Sequence, residues 1–222
     1  MKVREDPPLR WGIVVGEIVH NLRSALDHLV HQLALANGKT PGGIAYPVLS
    51  EDPSSPKARD STREIWENLT KRLHPDDLAI IEGTQPYKGK EFGVGQTLFA
   101  LNRLSNWDKH NAIHLSGSVL EDSRFSFEAI QHVELGTTEF GHIGTFQNGT
   151  VVAVCACRFT GPNPKVQMNA QLAYSVAFLD GPSNVRGGDV VMALTRLANF
   201  VHDILLELGS SPRFNQNGSP PS

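Results

Sequence analysis

The sequence predicts an α+β fold in which N-terminal helices, an antiparallel β-meander and a C-terminal helix pack as a single domain, residues 1–209. A change in hydrophobic period predicts this arrangement. Apolar residues recur at helical spacing within residues 10–107 and again over 189–208, whereas they alternate with polar residues in much of 112–180. The chain has 222 residues, of which 40% are hydrophobic, so it is long enough to bury one sizeable core.

Four helices are predicted in the first half of the chain. The longest covers residues 10–36, where an Asn-Gly pair follows the last apolar residue. Next, STRE at 61–64 matches a capping box, which predicts a helix from there to about Leu73. HPDD at 74–77 places a proline in the first turn of a short helix, and 97–107 form another. The apolar stripe of the longest helix consists of Trp11, Val15, Ile18, Val19, Leu22, Leu26, Leu29, Val30 and Leu33.

The second half is expected to contain about four or five antiparallel strands. The clearest is one long strand at 166–178, where even-numbered positions are mainly apolar and odd-numbered positions mostly polar. QNGT at 147–150 contains the Asn-Gly pair of a tight hairpin turn. A helix over 189–208 follows and ends at Gly209. The segment 210–222 has too few apolar residues to order itself, which predicts a disordered tail.

Composition limits the classes of partner and compartment. The formal net charge is −3, so a nucleic acid would have to be held by a local basic patch rather than by the whole surface. Cys155 and Cys157 lie two residues apart on a predicted strand and point to the same face, which indicates a reducing, cytoplasmic compartment. No apolar run reaches the length of a membrane span, so no membrane association is expected. Neither a cofactor nor a metal is expected.

The polar face of the first helix is the main candidate for a functional site. HNLRSALDHLVH at 20–31 places three histidines, an arginine and an aspartate within about three turns. A plain solvent face is usually built from Glu and Lys, and this one contains no lysine. A metal site is not predicted, because Glu17 and His20 lack the further helical carboxylates that such sites require. In acid–base chemistry, Arg23 would bind a phosphate and His28 would move a proton.

The segment RSALDH, which contains Arg23 and His28, resembles the Arg-x4-6-His motif of HEPN domains. Many HEPN domains are metal-independent RNases, in which the motifs of two subunits meet across a dimer interface. The resemblance therefore implies an RNase or phosphodiesterase that uses Arg23 and His28, with RNA as the partner and a homodimer as the assembly.

A second resemblance covers most of the chain. HNLRSALDHL at 20–29 and DKH at 108–110, together with the AYPV and QPYKG segments at 45–48 and 85–89, are similar to a family of uncharacterised bacterial proteins that is frequent in actinobacteria. That family implies no activity, but it associates the first helix with Asp108 and the residues that follow it.

Asp108 continues the apolar stripe of the helix at 97–107, so its carboxylate is expected to point inward and to need a partner. We therefore expect Arg23, Asp27 or His28 to lie within hydrogen-bonding distance of Asp108 or His110. Two functions remain open. Arg23, Asp27, His28, Asp108 and His110 form the catalytic site of a HEPN-like RNase, or the same residues form the structural polar network of a non-catalytic binding or assembly module.

Overall fold

The computed structural model describes residues 7–89, 94–119, 124–140, 144–145, 150–151, 153–171 and 174–210. The helices within these residues are α1 (Leu9–Ala36), α2 (Asp60–Thr70), α3 (Pro75–Gly83), α4 (Val94–Asp108) and α5 (Val190–Gly209). The strands are β1 (Leu115–Val119), β2 (Arg124–Gln131), β3 (Val133–Phe140), β4 (Gly144–Thr145), β5 (Ala153–Phe159), β6 (Lys165–Gln171) and β7 (Tyr174–Phe178). The order of helices, antiparallel strands and a final helix confirms the predicted α+β class.

The helix boundaries follow the sequence signals closely in α1, α3 and α5, and α2 ends three residues before its predicted end at Leu73. α1, α3 and α5 agree with the predicted helices to within one or two residues, and α4 begins three residues earlier than predicted. His74 caps α3, since its ring nitrogen accepts a hydrogen bond from the amide of Asp76, and Pro75 occupies the first turn. These helices therefore begin and end where short-range chemistry indicates.

The predicted capping box at the start of α2 is wrong. The helix begins at Asp60, so the serine of STRE lies inside its first turn, and the residue before the helix, Arg59, makes no side-chain capping bond. A contact with an earlier segment fixes this start instead. Glu51 Oε1 accepts hydrogen bonds from Arg59 Nε at 2.6 Å and from Thr62 Oγ1 at 2.9 Å. The carboxylate that fixes the start of α2 therefore belongs to Glu51, from an earlier segment, and not to Glu64 of the predicted capping box.

Two compact units are distinguished by their internal contacts. The strand unit comprises the described residues of 1–13 and 113–191, and the helical unit comprises those of 14–112 and 192–222. The expectation that helices and strands share one core stays a prediction.

The strand unit contains seven described strands, where four or five were expected. β1 pairs with β4 on one side and β7 on the other, while β2 pairs with β6 and β3 pairs with β5, all antiparallel. The single long strand predicted at 166–178 is two strands, β6 and β7, which have different partners. A period of two shows which residues share a face, but it does not show where a strand changes partner.

The helical unit is built around the apolar stripes of its helices. From α1 the buried residues are Val15, Val19, Leu26, Leu29, Val30, Leu33 and Ala34, and from α5 they are Leu197, Phe200, Val201, Ile204 and Leu208. Leu98, Leu101 and Leu104 of α4 are also completely buried. The disordered tail remains a prediction, because 211–222 lie outside the described residues. The proposed hairpin turn also lies outside them at 147–149.

Candidate functional site

Three side chains of α1, one helical turn apart, hold the backbone of the loop that follows the helix. Arg23 Nη2 donates a hydrogen bond to the carbonyl oxygen of Tyr46 at 2.6 Å. The amide of Tyr46 donates to Asp27 Oδ1 at 2.8 Å. His31 Nε2 lies 2.7 Å from the carbonyl oxygen of Ile44, and because a carbonyl only accepts, this nitrogen carries the proton. We call Arg23, Asp27 and His31 the α1 clamp.

Arg23 is a largely buried cation with one nearby counter-charge. Its side chain is 14% exposed, and its Nη1 lies 3.0 Å from Asp27 Oδ1. Burial lowers the pKa of Arg23, and the Asp27 carboxylate acts in the opposite direction. Although this distance is short enough for an ion pair, Nη1 is buried and has no hydrogen-bond acceptor. The two observations agree if the contact is electrostatic, since hydrogen bonds weaken steeply when the N–H points away from the acceptor. Nη1 is therefore a buried donor that is held beside the Asp27 carboxylate by charge alone.

A buried polar network holds the loop at its other side. The Tyr46 side chain is 1% exposed, and its hydroxyl lies 2.8 Å from Thr84 Oγ1. Thr84 uses its own proton on the carbonyl of Ile81, so Tyr46 is the donor to Thr84. Gln85, also buried, accepts from the amide of Leu49 at 2.9 Å. Burial raises the pKa of Tyr46 to about 12. The network fixes the loop at two points about three residues apart.

A pocket of about 300 Å³ lies beside the clamp, within the helical unit. Its lining consists of Arg23, the loop residues 43–48, Ile65, Asn68 and Leu69 of α2, and Asn102 of α4. We call it the clamp pocket. Asn68 and Asn102 are both half-buried, and within the described part of the chain neither side-chain amide forms a hydrogen bond. The clamp pocket therefore combines apolar walls with the Arg23 side chain and two half-buried side-chain amides.

The structure brings two of the predicted site residues together and leaves a third apart. Arg23 and Asp27 form an ion pair and share Tyr46 as a partner. His28 is exposed, and of the described residues none makes a hydrogen bond or ion pair with its side chain. Five residues along a helix correspond to a rotation of about 140°, so His28 and Arg23 point in different directions.

The expected hydrogen bond from Arg23, Asp27 or His28 to Asp108 or His110 is not formed among the described residues. Asp108 is the last residue of α4, and its carboxylate lies against Gly16, where an added methyl group would come 2.7 Å from the Asp108 Cγ. Gly16 precedes Arg23 by seven residues, which is about 10 Å along the helix. His110 is exposed beyond the end of α4. Asp108 thus reaches α1 about two turns away from Arg23, which is why the predicted hydrogen bond does not form.

A further pair in the strand unit was not predicted from the sequence. His114 Nδ1 lies 2.6 Å from Asp180 Oδ2, and the amide of His114 donates to Asp180 Oδ1 at 3.1 Å. His114 directly precedes β1. The two residues are 66 positions apart, so no local spacing could have paired them. The partners of the α1 clamp could not be predicted from the sequence for the same reason, because Tyr46 lies 23 residues from Arg23.

Two further findings apply to the described residues alone. Among them, no group of three or more His, Cys, Asp or Glu side chains is placed to hold a metal ion. No described helix combines the length and the apolar composition that a membrane span requires. Comparison of the chain with family models, with curated proteins and with solved structures finds no match.

Proposed function

We propose that the chain is a non-catalytic binding module, in which the α1 clamp is a structural network and the clamp pocket receives a small ligand. One observation carries this proposal. The Arg23 guanidinium is committed to the Asp27 carboxylate and to the carbonyl oxygen of Tyr46, both within its own chain. A catalytic arginine needs its donors free for the charge that develops on the substrate, whereas a structural arginine satisfies buried acceptors.

The HEPN-like RNase is the alternative function, with Arg23 and His28 as its catalytic pair. The exposure of His28 is compatible with it. Two observations argue against a catalytic pair formed within one chain. Arg23 and His28 are rotated by about 140° from each other on the helix, and Arg23 Nη2 is already bonded to the Tyr46 carbonyl. The net charge of −3 also provides no general attraction for RNA. RNA as a partner and a homodimer as the assembly remain part of this alternative.

A cytoplasmic location is proposed together with the binding function. Cys155 and Cys157 are both free thiols, and thiols persist in reducing compartments.

The test compares the purified parent with Arg23→Ala and His28→Ala, using mixed RNA in EDTA and urea unfolding in parallel. We expect no cleavage by the parent. His28→Ala should leave stability within about 0.5 kcal/mol of the parent, since its side chain is exposed and unpartnered. Arg23→Ala should cost roughly 3 kcal/mol, because the Tyr46 carbonyl and the Asp27 carboxylate lose their partner.

Cleavage by the parent that disappears in both variants, while both unfold as cooperatively as the parent, would contradict the proposal and support the RNase. Ligand binding in the clamp pocket is tested by a separate measurement. In a fragment screen followed by protein-observed NMR, some small fragments should shift the backbone amide signals of residues 43–46 and Val48. A screen in which no fragment of any charge shifts these signals would contradict the binding function.

A further inference from the structure

We infer that the ligand of the clamp pocket is a neutral molecule with a secondary amide and a small apolar side group. The backbone of Ala45 and the side-chain amides of Asn68 and Asn102 bond the amide, while the aliphatic wall contacts the side group. A small free amide has this chemistry, and so does one residue of an extended peptide. The inference rests on the proposed binding function and specifies its ligand class.

The pocket offers no open charge to a ligand. Arg23 is the only ionisable side chain, tyrosine apart, among the residues that line it. Its Nη2 is bonded to the carbonyl oxygen of Tyr46, and its Nη1 is buried 3.0 Å from Asp27 Oδ1, so neither terminal nitrogen is open to a further acceptor. The Tyr46 hydroxyl is bonded to Thr84. An ion in the pocket would lose hydration without gaining a counter-charge, which favours a neutral ligand.

The loop presents the backbone of one residue to the pocket as the edge of a strand would. Ile44 and Tyr46 turn their carbonyl oxygens toward the α1 clamp, whereas Leu49 bonds its amide to Gln85. This alternation is that of an extended chain, in which successive residues turn their backbone groups to opposite sides. Ala45 is therefore turned away from α1. It is exposed, and within the described chain its N–H and carbonyl form no hydrogen bond. Such a donor and acceptor pair matches a second extended amide.

Two side-chain amides complete the polar lining. Asn68 lies on α2 and Asn102 on α4, and neither side-chain amide forms a hydrogen bond within the described residues. A carboxamide carries both N–H donors and an acceptor oxygen. A secondary amide also carries a donor and an acceptor, so it can exchange hydrogen bonds with these groups in both directions. An ester only accepts and would leave an acceptor of the pocket unused.

The remaining lining limits the side group of the ligand. Val48 of the loop, with Ile65 and Leu69 of α2, gives the pocket an apolar side. A volume of about 300 Å³ lies at the lower end of the range for ligand pockets, so the ligand is small. The pocket therefore fits an amide that is joined to a short branched aliphatic group.

The experiment titrates the full chain with N-methylisovaleramide and follows the backbone amide signals of residues 43–46 and Val48. The comparison compounds are the isosteric ester methyl isovalerate, the anion isovalerate and the cation of isopentylamine. We expect the amide to bind about fivefold more tightly than the ester, which lacks the hydrogen-bond donor. Both ions should bind more weakly than the amide, because each would lose hydration without a counter-charge.

Substitutions of Asn102 test whether its side chain bonds the ligand. Asn102→Ala should weaken binding of the amide by about fivefold, and it should fold normally because the side chain makes no hydrogen bond within the described chain. Asn102→Asp replaces the donors by a carboxylate, so it should favour the cation over the amide. Asn106→Ala is the matched control, since Asn106 lies one turn further along α4 and is exposed. It should leave the affinity for the amide unchanged.

The two sources of the amide are distinguished by a longer ligand, N-acetyl-Ala-Leu-Ala N-methylamide. Tighter binding than that of N-methylisovaleramide assigns the site to an extended peptide, and weaker binding assigns it to a free small amide; both support the amide class. Equal or tighter binding of the ester, tighter binding of either ion, or an Asn102→Ala variant that binds like Asn106→Ala would overturn it. These results would leave the binding function intact, whereas the absence of any fragment binding would contradict both.

Discussion

Replacing Tyr46 by phenylalanine should make the folded protein less stable than the parent at neutral pH but more stable than the parent in strongly alkaline solution. At neutral pH the variant loses the hydrogen bond from the Tyr46 hydroxyl to Thr84, so it should be less stable than the parent by about 1 kcal/mol. The side chain is 1% exposed, so solvent does little to replace that bond.

At alkaline pH the phenol itself destabilises the parent. Burial raises the pKa of Tyr46 from 10.0 to about 12, so the folded chain holds the proton more tightly than the unfolded chain. The stability from this difference is fully present below pH 10.0 and is lost as the pH rises through about 12. Each unit of pKa difference is worth roughly 1.4 kcal/mol, so a difference of about 2 lowers the free energy of unfolding of the parent by about 3 kcal/mol once Tyr46 is fully ionised in both states.

Combining the two effects gives equal stability of the variant and the parent at roughly pH 10.6. At about pH 11.5 the variant should be the more stable protein by roughly 1 kcal/mol. The assay is urea unfolding followed by circular dichroism at about pH 8 and about pH 11.5, where the other groups titrate in both proteins and cancel in the difference.

The control is Thr84→Val, which removes the same hydrogen bond but keeps the phenol. This variant should be destabilised at both pH values and should not cross the parent. If Tyr46→Phe is less stable than the parent by the same amount at both pH values, the hydroxyl of Tyr46 is not shielded from water and the reasoning fails.

Four further substitutions test the helical unit. Gly95→Ala would place a methyl group 2.6 Å from the backbone oxygen of Gln85 and should lower the free energy of unfolding by about 1–3 kcal/mol. Gly83→Ala, which meets nothing within 4 Å, should be nearly neutral, and thermal unfolding of both compares them. Gln85→Leu leaves a buried backbone amide without its acceptor and should cost about 1–3 kcal/mol in urea unfolding; an unchanged midpoint would contradict the network. The pKa of Glu51 is lowered by hydrogen bonds, chiefly from Arg59, so it contributes stability that is lost as the pH falls below 4.5. Glu51→Gln should therefore flatten the acid side of the stability profile, and a profile parallel to that of the parent would rule this out.

The helices were predictable because their signals are local. The apolar stripe of α1 and the His-Pro start of α3 depend on residues within a few positions of each other. The partners of polar side chains are not local. Arg23 was selected for its chemistry, but its acceptor is a backbone carbonyl 23 residues away, and every residue type carries that group. The side-chain pattern therefore could not show that Arg23 and Asp27 bond the backbone of Tyr46 rather than that of a neighbouring residue.

Gly16 is the sequence signal for the contact that Asp108 makes with α1. Its inward direction was predicted, and it is half-buried in the structure, but its neighbour is Gly16 rather than Arg23. A glycine in the middle of a helix costs about 1 kcal/mol relative to alanine, and such a position often marks close approach by another group. Gly16 therefore marks where another element approaches α1, about two turns before Arg23 on nearly the same face of the helix.

The α1 clamp also determines where the chain can change in length. Arg23 and Asp27 hold the two backbone polar groups of Tyr46 because four residues separate them, which is close to one turn. One residue inserted between them would rotate Asp27 by about 100° relative to Arg23, and both bonds could not form together. An insertion at 38–43, between the end of α1 and the held segment, would only lengthen an exposed connection that contains three glycines with positive φ. Length variation should therefore be tolerated in this connection and excluded from the middle of α1.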